Sequence, residues 1–269
     1  MRDARVLTGS LILFVAVVQS GWARAPQQGL GGAGRGVPPE LLQCADLTSA
    51  LLTVTAQDTR LRDWANLARY REANQSVTRV TAVFMGDSIT DFWQQPRFGE
   101  FFPGKGYVDR GISAQTTSQM LLRMRPDVIA LKPKVVVILA GTNDIAGNTG
   151  PMSDEEIEGN LTSMSELAVA NGIKVVLSSI TPVSAYHTAR PSAAPQTTIR
   201  PIARVKAIND WMRSYAAAHK HVYLDYYSPM IDSAGMLKEE FSGDDLHPTA
   251  AGYAVMAPLA DAAIARALR

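Results

Sequence analysis

Four side chains suited to acyl transfer stand far apart in this chain. Ser88 lies in Gly86-Asp87-Ser88-Ile89-Thr90 and Asn143 in Gly141-Thr142-Asn143-Asp144. Asp244 and His247 lie in FSGDDLHP, Phe241 to Pro248, and His247 is one of only four histidines. A serine hydroxyl is a weak nucleophile unless a base takes its proton during attack. Histidine, with an unperturbed pKa of about 6.5, suits that work at neutral pH. The negative oxygen of the tetrahedral intermediate then needs fixed donors, each contributing about 3 kcal/mol. The Asn143 amide and the backbone N–H groups of Ser88 and Gly111 are candidates for that oxyanion hole. Two adjacent aspartates compete to orient the imidazole. Asp244 precedes His247 by three residues, a separation that a single turn closes, whereas Asp245 is expected to point elsewhere. Pro248 restricts the backbone of His247.

These residues need elements that bring them to one place. Short apolar runs alternate with longer helical stretches, the pattern of crossover units and a parallel sheet. The strand candidates are Val80 to Met85, Gly106 to Asp109, Val135 to Ala140, Lys174 to Ser178 and Val222 to Asp225. Val135 to Ala140, VVVILA, is apolar without alternation, as a central strand covered on both faces requires. The helix candidates are Glu40 to Asn74, Ser153 to Ala170 (Ser153 as N-cap, Glu156 completing a capping box), Arg204 to Ala218 and Thr249 to Leu268. Trp64 and Tyr70 are read as core residues. In an open parallel sheet, ligands bind beyond the carboxyl ends of the strands. The Ser88, Gly111 and Asn143 segments each follow a strand directly, and Asp244 and His247 follow the last strand after a longer loop.

From about Trp64 to its C-terminus the chain resembles the SGNH (GDSL-type) hydrolases. Gly86 to Thr90 is similar to the first block of that family, Gly111 to the second, Gly141 to Asp144 to the third, and Asp244 with His247 to the last. The resemblance implies an α/β fold, a flavodoxin-like three-layer α/β/α sandwich with a five-stranded parallel sheet, and ester hydrolysis without a cofactor. By position it makes Ser88 the nucleophile, His247 the base and Asp244 the orienting carboxylate, with Ser88 N–H, Gly111 N–H and the Asn143 side chain as the oxyanion hole. Ile89 and Thr90 after the serine depart from the Gly-x-Ser-x-Gly elbow of α/β-hydrolases. Asp245 and Ala114 stand where the family commonly has glycine; aspartate tolerates a left-handed backbone better than most residues.

Other polar residues have simpler readings. Asp87 is expected to hydrogen-bond within the nucleophile turn, Asp144 to form a turn, and His219 and His221 to be solvated surface. His187 follows the fourth strand at the correct sheet edge and is a candidate substrate contact. Trp93 is a candidate for lining an acyl or sugar pocket, and Phe92 either for that pocket or for the core. Ala189 to Arg200 is a candidate rim.

The chain's 269 residues, 46% hydrophobic and 19% charged, suit one globular domain, placed at residues 40–269. Arg2 and Arg5, an apolar run from Val6 to Val18 and Ala23-Arg24-Ala25 have the layout of a secretory signal peptide over residues 1–25. A retained anchor is the alternative, against which the run is shorter than the ~20 residues of a membrane-spanning helix. Cleavage after Ala25 would leave Pro26 beyond the scissile bond, so Ala23 is the alternative site. Residues 26–39, rich in Gly and Pro, read as a flexible linker. Loss of residues 1–25 removes Arg2, Arg5, Arg24 and Asp3 and takes the net charge from +1 to −1. With no basic cluster, neither nucleic acid nor an anionic membrane is an expected partner. Cys44 is the single cysteine, so an internal disulfide and Cys-pair zinc sites are excluded.

The expected activity is hydrolysis of short acyl, foremost acetyl, esters, on a small-molecule or carbohydrate substrate, by an exported periplasmic or extracellular enzyme without metal. The alternatives are a lysophospholipase or thioesterase of the same fold, a metal-dependent phosphoesterase, which would want more histidines than His247 at the strand ends, and a non-catalytic carbohydrate-binding protein.

Overall fold

The structure, a computed structural model, describes residues 61–187 and 194–269 together with Ser49, Leu52, Val54 and Asp58. The leader, the linker, Cys44 and residues 188–193, which include the first five residues of the candidate rim, lie outside the described residues. The long helix read from Glu40 to Asn74 does not continue through its C-terminal third. Asp63 accepts hydrogen bonds from the N–H groups of Leu67 (2.7 Å) and Ala68 (2.9 Å), Asn66 is left-handed at φ 53°, and turns run from Asp63 to Glu72. Side-chain capture of backbone donors by an aspartate is a local competitor of helix. Only Ala73–Ser76 (α1) is helical beyond it. Trp64 is consequently 45% exposed rather than core, while Tyr70 is buried.

From there strand and helix alternate: β1 (Ala82–Gly86), α2 (Ser88–Trp93), β2 (Tyr107–Gly111), α3 (Thr117–Asp127), β3 (Val135–Leu139), α4 (Thr142–Ile145), α5 (Asp154–Ala170), β4 (Lys174–Ser178), α6 (Gln196–Ile199), α7 (Ile202–Ala218), β5 (Val222–Leu224), α8 (Tyr227–Met230) and α9 (Ala250–Ala267). The five strands form one parallel sheet in the order β2-β1-β3-β4-β5. Alternate residues leave opposite faces of a strand, and both faces are covered. Val83 and Met85 of β1 and Val136 and Ile138 of β3 pack with Met120 and Met124 of α3, Ile157, Leu161 and Met164 of α5, and Val205, Ile208 and Met212 of α7. Ala82, Phe84, Val135 and Val137 pack on the other side with Trp93 of α2 and Tyr253, Met256, Ala260 and Ile264 of α9. The fold is therefore the three-layer α/β/α sandwich with a five-stranded parallel sheet. The capping box forms at α5, where Ser153 Oγ accepts from Glu156 N–H (3.2 Å) and Glu156 Oε2 accepts from Ser153 N–H (2.8 Å).

Two features of this sheet position the chemistry. The chain leaves β1 for β2 on one side and returns to β3 on the other, so the switch point, where open sheets form a crevice, lies at the carboxyl end of β1. The register sets Gly86 opposite both Gly111 and Leu139, which brings three strand ends to one level. Arg123, fully buried in α3, staples that level from below. It donates to Gly86 O (2.9 Å), to Arg110 O (2.7 Å), to Gln115 Oε1, and to Asp127 Oδ2 one helical turn away (3.1 Å). Replacing Arg123 by methionine removes a buried charge-assisted donor from the carbonyls of Gly86 and Arg110 and from Asp127 Oδ2. Urea unfolding of Arg123→Met should show a loss of about 3–5 kcal/mol, the scale for breaking a buried pair from one side; a loss below about 1 kcal/mol would contradict this role.

Candidate active site

Ser88 is the first residue of α2, and Asp87 is its N-cap, accepting from Ile89 N–H at 2.9 Å. The turn between β1 and α2 is tight because Gly86 has no Cβ; one built there would stand 2.0 Å from Thr90 Oγ1. From this position Ser88 Oγ lies 2.9 Å from His247 Nε2, and His247 Nδ1 lies 2.6 Å from Asp244 Oδ2. The loop carrying the last two residues closes on itself through a Ser242 to Pro248 bridge before Thr249 caps α9. Asp244 Oδ1 accepts from His247 N–H (2.7 Å), Leu246 N–H (3.1 Å) and Ser242 Oγ (3.1 Å), so the carboxylate is built into the turn that presents the imidazole. Burial would raise the Asp244 pKa, but the hydrogen bonds from the His247 ring and from the backbone N–H groups outweigh it and hold the carboxyl below its ordinary range. A carboxylate at Nδ1 assigns the proton to that nitrogen and leaves Nε2 as the acceptor for the serine hydroxyl. This arrangement can draw a proton from Ser88 as its oxygen attacks a carbonyl.

Asp245 points the other way and is buried, in the left-handed conformation at φ 67°. Its carboxylate accepts from Ser184 Oγ (2.6 Å), Tyr186 N–H (3.0 Å) and His187 N–H (2.8 Å), and its Oδ1 stands 3.1 Å from His187 Nδ1. The two neighbouring aspartates thus serve two different histidines. His187 is placed as the partner of Asp245 in the loop after β4, with its ring one third exposed.

The donors for an oxyanion are arranged differently from the expectation for Gly111. Its N–H donates to Asp109 Oδ1 at 2.7 Å and is not free for a ligand. The position demands glycine for space, because a Cβ there would lie 2.1 Å from Asp91 N. From Gly111 to Thr117 the N–H groups of 112, 113, 115, 116 and 117 are also engaged, by Gly86 O, Asp91 Oδ2, Ile112 O, Gln119 Oε1 and Asp144. Among the described residues, Ala114 N–H alone in this run has no acceptor, and Ala114 sits at φ 66°, where glycine is the easier residue. Asn148 Nδ2 holds the Ala114 carbonyl (3.1 Å) and Asn143 Nδ2 that of Gln115 (3.0 Å), which ties this loop to the segment after β3. Asn143 keeps one further amide hydrogen. Asp144 is buried and structural, accepting from Thr117 N–H and Oγ1.

The expectation for Trp93 is corrected. Trp93 is buried against Phe84, Phe101, Phe102, Tyr226 and Tyr253, so it belongs to the core. Its neighbour Phe92, on the other side of α2, places its ring 4.9 Å from that of His247. Arg200, read as the last residue of the candidate rim, is instead buried after α6; it donates to Thr142 O (3.1 Å) and Oγ1 (2.9 Å) and faces Asn143 Oδ1 at 3.4 Å. Of the two histidines read as surface, His219 is exposed and His221 half-buried. Among the described residues no three His, Cys, Asp or Glu side chains form a metal-binding group, and no helix is long and apolar enough to cross a membrane.

Next to Ser88 in the chain, Asp87 is fully buried and its Oδ2 has no hydrogen-bond partner. Burial, opposed by the Ile89 N–H bond and by His247 and Arg200, pushes its pKa up from 3.8 to about 6. A carboxyl raised in the folded state binds its proton more tightly there. Its stabilising contribution is complete below about pH 4 and is lost as pH rises through about 6. Asn at position 87 keeps a capping oxygen and carries no charge. The stability difference between Asp87→Asn and wild type should therefore grow in favour of the variant from pH 4 to 6 and level off at about 2–3 kcal/mol. A difference independent of pH in chemical denaturation would contradict a raised Asp87.

The family model for GDSL-like lipase/acylhydrolase proteins matches residues 84–255, the segment that runs from β1 into α9. A GDSL-like lipase from Bacteroides thetaiotaomicron is 40% identical, with a TM-score of 0.68 over 76% of this chain and 98% of its own. A candidate acylhydrolase from Bacteroides fragilis is also 40% identical, with a TM-score of 0.68 over 77% of this chain and 99% of its own. An acetylxylan esterase from Geobacillus stearothermophilus shares the fold at 19% identity, with a TM-score of 0.53 over 70% of this chain and 94% of its own. No curated protein matches the chain. A family match over most of the domain, with 40% identity maintained across the whole of two solved relatives, establishes that the chain belongs to the GDSL-like lipase/acylhydrolase family.

Proposed function

We propose that this acylhydrolase is a serine esterase that removes short acyl groups, foremost acetyl, from carbohydrate or other polar alcohol esters through an acyl-enzyme. Ser88 is the nucleophile, His247 the general base and then general acid, and Asp244 the carboxylate that orients and supports the imidazolium. The observation that carries this reading is the unbroken run of contacts, 2.9 Å from Ser88 to His247 and 2.6 Å from His247 to Asp244. As Ser88 Oγ attacks the carbonyl carbon, His247 Nε2 takes its proton. The negative oxygen is received by Ser88 N–H, by the remaining Asn143 amide hydrogen and by Ala114 N–H, which replaces Gly111 N–H in that role. His247 returns the proton to the departing alcohol, and water repeats the sequence to release the acid. Side-chain and backbone groups supply every role, with no metal or cofactor.

The preference for small acyl groups on polar alcohols rests on three features. The N-terminal sequence has the layout of an export signal, the processed chain would be near neutral, and no long apolar lid segment is present in the sequence. The acetylxylan esterase named above is consistent with it through the fold it shares. His187, held by Asp245 in the loop after β4, is the proposed contact for the alcohol portion of the substrate. The enzyme acts after export as a protein free of nucleic acid and without stable membrane association.

A panel of chromogenic acyl esters and acetylated sugars tests the reading. Wild type should hydrolyse acetyl esters and Ser88→Ala should lose the activity by at least about 10³-fold; comparable rates in the two would end the serine mechanism, and a clear preference for long acyl chains would redirect it to lipids. Asp244→Asn should reduce kcat far more than Asp245→Asn, on the order of 10³- against 10-fold, and the opposite ranking on folded protein would move the orienting role to Asp245.

A further inference from the structure

Arg200 is the least expected charge near the reaction centre. The residue is buried, and no carboxylate lies within ion-pair distance of its guanidinium among the described residues. Its hydrogen bonds go to neutral groups: Nε to Thr142 O and Oγ1, Nη1 to Gln196 Oε1 and Nη2 toward Asn143 Oδ1. A cation taken from water without a counter-ion is expensive, and buried charges in native proteins are as a rule paired. The nearest negative charges that act on it, Asp87 and Asp244, do so only at a distance.

The contacts of Asn143 show which anion completes the arrangement. A guanidinium can only donate and a backbone carbonyl can only accept. The Asn143 atom facing Arg200 is therefore the oxygen, and the atom facing Gln115 O, at 3.0 Å, is the nitrogen. The amide cannot flip without placing N–H against a cation and oxygen against a carbonyl. One Nδ2 hydrogen remains, fixed in direction. A positive charge at the oxygen end of an amide also polarises its N–H bonds and makes them stronger donors. We infer that Arg200 is a positioning residue for the oxyanion hole: it locks and polarises the Asn143 amide, and its unpaired charge is balanced when the tetrahedral oxyanion forms on the far side of that amide. The inference rests on the esterase reading above. It predicts that Arg200 acts on the transition state and not on ground-state binding of a neutral ester.

The test uses the full chain with Arg200→Ala, Arg200→Gln and Arg200→Lys, alone and combined with Asn143→Ala, on a chromogenic acetyl ester. Arg200→Ala and Arg200→Gln should lower kcat by about 30- to 100-fold with KM changed less than about threefold, and Arg200→Lys should recover most of the rate. N-ethylguanidinium should rescue Arg200→Ala, whereas the neutral isostere N-ethylurea should not. Combining Arg200→Ala with Asn143→Ala should cost scarcely more than Asn143→Ala alone, because both act through one amide. A structural support would give fully additive losses and no dependence on the charge of the rescuing compound, and either result overturns the inference. It is also overturned if all three Arg200 variants fail to fold by near-UV circular dichroism, which would assign the residue to architecture. Labelling of Ser88 by a fluorophosphonate separates the two levels. Absence of labelling in wild type would remove the esterase reading and the inference together, while equal labelling rates for wild type and Arg200→Gln would remove the inference alone.

Discussion

Everything at the reaction centre depends on how closely backbone approaches backbone at the carboxyl ends of β1 and β2. Gly86 and Gly111 pair across the sheet, and the first turn of α2 rests on both. A Cβ at 86 would occupy the space of the Thr90 side chain, and one at 111 would overlap the peptide between Thr90 and Asp91. With both absent, α2 sits directly against the strand ends, and the hydroxyl of its first residue is held where the imidazole from the last loop meets it. Arg123 fixes the same level from inside the protein by binding the carbonyls of Gly86 and Arg110. The serine needs no flexible search for its partner, since rigid elements set both ends of the 2.9 Å contact.

Around that contact the buried charges form an ordered set. Asp87 adjoins Ser88 with one carboxylate oxygen unsatisfied, Asp244 is drawn toward ionisation by the imidazole and backbone donors, and Arg200 lies on the Asn143 side with only neutral hydrogen-bond partners. Under the proposed mechanism, Asp244 stands on the imidazole side of Ser88, and Arg200 on the Asn143 side, where the negative oxygen would collect. In an interior of low effective dielectric, such an arrangement acts more strongly than it would in water and needs no reorganisation during reaction. The paired aspartates divide a structural duty as well. Asp244 builds the turn that presents His247, and Asp245 ties that turn to the loop after β4 through Ser184, Tyr186 and His187.

The sheet was legible in the sequence because strands buried on both faces must be apolar at consecutive positions, as in Val135 to Leu139. The capping box at Ser153 and Glu156 was legible because it is a local contact three residues wide. The stretch before β1 misled because apolar spacing at Leu61, Trp64 and Leu67 implies a helix, yet Asp63 captured the backbone donors and turned those side chains outward. Trp93 was misread as a pocket residue for a related reason. Adjacent residues of a helix face different directions, and only the angle at which α2 meets the sheet says which of them faces the core.

Residue types and order in the chain were enough to determine the fold class, the family, and which serine, histidine and aspartate could work together, because each stands at a strand end or on a three-residue turn. The sequence was also enough to separate Asp244 from Asp245, since spacing along one turn is a local property. What tertiary structure alone decided is which hydrogens remain free. Gly111 N–H is taken by Asp109, Ala114 N–H is left over, and the amide of Asn143 is oriented by an arginine 57 positions away in the chain. Hydrogen-bond satisfaction is settled among all groups that folding brings together, so no single segment carries the information.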